Sequence, residues 1–79
     1  RRGRPTFAIT VSDAEREQLT ALTRSRALSA GLVRRARVIL LAAKGLSQQE
    51  IARRVDLSPA MVGQWRRRWR AHGLAGLYD

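Results

Sequence analysis

The side chains best equipped for chemistry stand close together between Pro59 and His72: Gln64, Arg66, Arg67, Arg68 and Arg70, with Trp65 and Trp69 among them. Arginine presents a planar fork that pairs with guanine O6 and N7, and glutamine can pair with adenine, so this set suits base-pair edges in a major groove. On a helix, Val62, Trp65 and Trp69 share one face at i, i+3 and i+7. The opposite face then presents Ala60, Gly63, Gln64, Arg67, Arg68 and Ala71. Ala60 and Gly63 are small enough to let such a helix approach bases closely. We therefore read Gln64, Arg67, Arg68, Gly63 and Ala60 as base contacts, and Arg66 and Arg70, at the flanks, as phosphate contacts. Stacking of the tryptophans on bases competes with core packing, and their spacing favours the core.

Such a helix needs a neighbour to hold it. Ser47 followed three residues later by Glu50 reads as a capping box, so a helix starts at Gln48, with Ile51, Ala52 and Val55 as its apolar stripe. Asp56-Leu57 interrupts it, and Ser58-Pro59 restarts the chain as N-cap and first helical residue of a second helix running to about His72. This spacing resembles the helix-turn-helix of bacterial DNA-binding proteins. The resemblance asks for a small residue at Ala52 and a β-branched one ten residues later, where Val62 stands; Asp56 occupies the turn position usually held by glycine. Ser47, Gln48, Gln49 and Ser58 lie at helix starts, where side chains and backbone N–H groups can clamp phosphates.

Composition points the same way. The chain has 79 residues, with 16 Lys+Arg against 6 Asp+Glu and a formal net charge of +10, which implies a polyanionic partner, here double-stranded DNA. Cysteine is absent and there is one histidine, His72, placed where it complements a helix C-terminus, so no metal, cofactor or catalytic constellation is expected. No apolar run is long enough to span a bilayer, and a cytoplasmic, nucleoid-associated location is expected. A basic peptide acting on membranes or partner proteins is disfavoured because the apolar residues fit one helical core.

The expected fold is all-α: residues 1–11 as an extended basic arm and 12–79 as a small helical domain. Arg2-Gly3-Arg4-Pro5 resembles the core of an AT-hook, with Arg2 and Arg4 in a narrow minor groove. A basic tail touching phosphates is the competing reading. Phe7, Ile9 and Val11 alternate and would lay one apolar edge on the domain. Ser12 and Glu15 form a second capping box for a helix from about Asp13 to Thr23 that buries Leu19 and Leu22. Three of the six acids, Asp13, Glu15 and Glu17, fall in its first turns, so that end should face away from DNA. A core helix from about Ala30 to Lys44, capped by Ser29 and closed by Gly45, repeats Leu32, Val33, Ala36, Ile39, Leu40 and Ala43, widened by Val38, Leu41 and Ala42. Arg34, Arg35 and Arg37 read as its solvated face.

The stretch from Val33 to Asp79, and above all Gly73-Leu74-Ala75-Gly76-Leu77 behind an Arg/Trp-rich helix, resembles the N-terminal domain of bacterial insertion-sequence transposases related to the mariner superfamily. The likeness covers roughly Val11 to Asp79. It implies a homeodomain-like helix-turn-helix that binds the terminal inverted repeats of a mobile element. It also implies that the cutting chemistry, an acidic triad holding two metal ions, belongs to a catalytic domain outside these residues. The chain is thus expected to be a non-enzymatic fragment of a larger DDE/DDD transposase, with a homodimer of the full-length protein as a further option. The DNA-binding domain of a transcriptional regulator is the alternative.

Overall fold

The computed structural model of the chain describes residues 9–78. Among these it is all-α: α1 (Asp13–Arg24), α2 (Ala30–Ala43), α3 (Gln48–Val55) and α4 (Pro59–His72), closed by a 3-10 turn, η1 (Gly73–Leu77). The AT-hook-like residues, Arg2 and Arg4 included, lie outside the described residues, as does Phe7. No described helix is long and apolar enough to cross a membrane.

Each helix starts at a serine in extended conformation. The hydroxyls of Ser12, Ser29, Ser47 and Ser58 accept from the N–H groups of Glu15, Leu32, Glu50 and Met61. Each such cap is worth about 1 kcal/mol. The box at α1 is complete, since the Ser12 N–H donates back to Glu15 Oε1 at 2.9 Å. The box expected at Ser47 is only half made. Glu50 turns its carboxylate to Arg53 and Arg54 instead, because two charge-assisted bonds outweigh one to a neutral backbone N–H.

α2 is the core helix. α1 packs along one side of it, and α3, α4 and η1 pack on the others. It buries Leu32, Ala36, Val38, Ile39 and Ala42, while Val33, Leu40 and Ala43 are half-buried and line clefts beside α1. The buried face is therefore rotated from the expected stripe. A helix covered on several sides has no single apolar period that fixes its orientation. Leu19 is fully buried and Leu22 packs against the core from its edge; Ile9 is buried too, with Val11 partly so, which lays the end of the N-terminal segment on the domain.

Between α3 and α4, Asp56 adopts the left-handed conformation (φ 61°, ψ 47°) that the turn demands, and the Leu57 N–H donates to Ala52 O at 3.1 Å. Asp is among the non-glycine residues that tolerate this region best. At the other end of α4 the chain turns at Gly73 (φ 64°) and folds back as η1, placing Leu77 in the core with no exposed surface. Gly76 makes this return feasible: a Cβ there would lie 2.5 Å from the Arg68 carbonyl oxygen.

Replacing Gly76 with alanine should therefore destabilise the domain by about 1–3 kcal/mol, the usual cost of forcing atoms into packed space. Urea unfolding measures it, and an unchanged midpoint would show that η1 does not hold the fold as described.

Candidate nucleic-acid interface

α4 divides cleanly between core and surface. Val62 is fully buried and Trp65 and Trp69 are each 6% exposed, so the indoles are core side chains and not stacking platforms. Ala60, Gln64, Arg67 and Ala71, spaced i, i+4, i+7 and i+11, are exposed together on the opposite side. Small residues at both ends of this stripe leave Gln64 and Arg67 as its projecting polar groups. α4 carries no acidic residue. Asp13, Glu15 and Glu17 sit at the start of α1, and Glu50 is engaged with Arg53 and Arg54.

Three residues expected on the open face or its flanks are elsewhere. Gly63 is buried beneath the Gln48 side chain, whose Nε2 would lie 3.1 Å from a Cβ at that position. Arg66 is 7% exposed and donates through Nη1 to Gln48 Oε1 at 2.6 Å. Arg68 is half-buried and donates through Nε to Gly76 O at 2.8 Å, with its guanidinium 5.1 Å from the Trp65 ring. Spacing along one helix missed these placements because each is decided by a different element that packs against α4.

Gln48 is the joint between α3 and α4. Its Nε2 donates to Pro59 O at 2.7 Å while its Oε1 receives Arg66. The amide expected to clamp a phosphate thus bridges the elbow with one Nε2 hydrogen and Oε1 and keeps its second N–H, and Gly63 supplies the space for it. Burial, together with the neighbouring charges of Arg70 and Arg67, pushes the Arg66 guanidinium below the usual arginine range. By contrast, a hydrogen bond from Arg54 and the charge of Arg53 hold the Glu50 carboxyl below the usual carboxylate range.

The remaining expected residues stay at the surface. Ser47, Gln49 and Ser58 are exposed at the two helix starts, and the serine hydroxyls, used as acceptors in their caps, keep their O–H donors. Arg70 is exposed and lines one cleft at the end of α4 with Ile9, Thr10, Gly73 and Glu15, so the acidic start of α1, expected to face away from the interface, borders its Arg70 end. Arg35, expected on a solvated face, instead stacks over Trp65 at 4.2 Å and donates through Nη1 to Leu77 O at 2.9 Å. Nothing in the local sequence signals that contact, which spans half the chain.

A family described as a helix-turn-helix domain matches residues 34–79, a span that holds most of α2, the α3–α4 elbow and η1. No curated protein and no solved structure matches the chain.

Because Gln48 bonds both Arg66 and Pro59 O, Gln48→Ala should cost about 1–3 kcal/mol of stability, the worth of a hydrogen bond to a charged group. In an Arg66→Met background the same change should cost clearly less. Equal costs in both backgrounds, by urea unfolding, would mean that the two side chains are not coupled.

Proposed function

The chain belongs to the helix-turn-helix domain family, and from that membership we propose that it recognises a specific double-stranded DNA site with α4 in the major groove. The observation that carries this reading is the exposed stripe of Ala60, Gln64, Arg67 and Ala71, one amide and one guanidinium between small residues on a helix without acids. Gln64 and Arg67 read base edges there, and Ala60 gives the backbone close approach. Ser47, Gln49, Ser58 and Arg70 hold phosphates on either side. Gln48 and Arg66 set the elbow angle, and Arg68 anchors η1.

The site we assign is the terminal inverted repeat of a mobile element, the chain serving as the DNA-binding domain of a transposase. What supports this is the Gly73–Leu77 segment directly behind α4, whose resemblance to the transposase tail is the most specific part of the sequence. Arg2 and Arg4 lie in the adjacent minor groove. Residues 1–8 then act as an arm, with residues 9–11 laid on the domain at 12–79.

Selection of bound sequences from a random DNA pool tests the reading. On the selected site Arg67→Ala should cost about 1–3 kcal/mol and relax the choice of one base pair, while Arg70→Ala should weaken all sequences alike and shallow the salt slope by about one unit. An equal loss from Arg67→Ala on selected and scrambled DNA would remove base reading from that residue. Deleting residues 1–5 should weaken sites with an A·T tract beside the major-groove contact more than G·C-flanked ones; equal losses would reduce the arm to a phosphate contact.

A further inference from the structure

Met61 has no part, through its side chain, in the contacts described so far. It is 37% exposed, and only Tyr78 joins it as an exposed large hydrophobic among the described residues. Its N–H donates to the Ser58 hydroxyl at 3.2 Å, which fixes it in the first turn of α4. The first turns of a recognition helix are the ones that meet base edges. With Leu57, Trp65, Arg34 and Arg35 it lines a cleft of about 180 Å³ between the starts of α2 and α4.

We propose that Met61 reads the 5-methyl group of a thymine at the edge of the α4 contact, a role that rests on α4 lying in the major groove. The surroundings favour DNA as the occupant. Arg34 and Arg35 border the cleft with positive charge, in a chain whose formal net charge is +10. The thymine C5-methyl is the apolar group that base pairs present in the major groove. A ligand offering anionic phosphates around an apolar methyl therefore matches both the rim and the floor. Methionine suits the task because its unbranched thioether adapts to a methyl group without a fixed pocket. Gln64, one turn further along, supplies the polar contact beside it. Met61 thus extends base reading by one position towards α2.

The test uses the 79-residue chain and the duplex returned by selection, with each thymine replaced in turn by deoxyuridine, which deletes only the methyl group. One replacement should weaken binding by about fourfold, the worth of one buried methyl-sized group. Met61→Ala should weaken binding to the thymine duplex by a similar factor and bind thymine and deoxyuridine duplexes equally at that position. Met61→Leu should keep most of the discrimination. If every deoxyuridine duplex loses the same factor with wild type and with Met61→Ala, the proposal is overturned. The groove reading survives that result as long as the selected site is still preferred over scrambled DNA. A selection that returns no preferred sequence removes the groove reading and this proposal with it.

Discussion

The helix that gives the core Val62, Trp65 and Trp69 also carries four arginines, so core packing and like-charge repulsion have to be settled on one element. The groups that receive these cations decide what the surface looks like. Arg66 lies against an amide oxygen, Arg68 against a backbone carbonyl, and both Arg35 and Arg68 against the face of Trp65. Indole is the strongest aromatic partner for a cation. Neutral acceptors of this kind orient a guanidinium without cancelling its charge. A carboxylate in the same place would have bonded more strongly and erased the field that attracts a polyanion. Among the described residues, Glu50 pairs with Arg53 and Arg54, all three on α3.

The same contacts fix α4 at both ends. At its start Gln48 reaches across to Pro59 O, and Gly63 lets the amide lie flat against the helix. At its end η1 folds back onto Arg68, and Arg35 on α2 holds the carbonyl of Leu77. Gln64 and Arg67 lie between the two anchors. A backbone pinned in this way has little to lose in ordering when the helix meets a ligand, which is how rigid scaffolds gain affinity. The segment behind α4 is consequently part of the domain's packing and not a spacer after it.

What could be read from the sequence was the local part. Four serine starts, the left-handed turn at Asp56 and the inward face of Val62, Trp65 and Trp69 each depend on neighbours within a few residues, and each stands where spacing puts it. The misplacements are tertiary. Gly63 looked like an open-face residue because nothing nearby reveals that the Gln48 side chain lies over it. Arg35 looked solvated because its two partners, Trp65 and Leu77, are far along the chain. Even the half-made box at Ser47 follows this rule in miniature. Its residues were right, but Arg53 and Arg54 competed for the carboxylate.

The N-terminal end of the described chain adds a geometric condition to the proposed minor-groove contact. Ile9, the first described residue, is buried and borders the same cleft as Glu15, Trp69, Arg70 and Gly73, which puts it at the C-terminal end of α4. Eight residues extend at most about 26–29 Å. A minor groove is roughly 6 Å wide and neighbours the major groove across one phosphate backbone. If α4 lies in a major groove as proposed, an arm of this length can reach the neighbouring minor groove but not one a full helical turn away, about 34 Å along the duplex. On the proposed reading, anchoring by Ile9 ties the position of any A·T preference to the Arg70 side of the site.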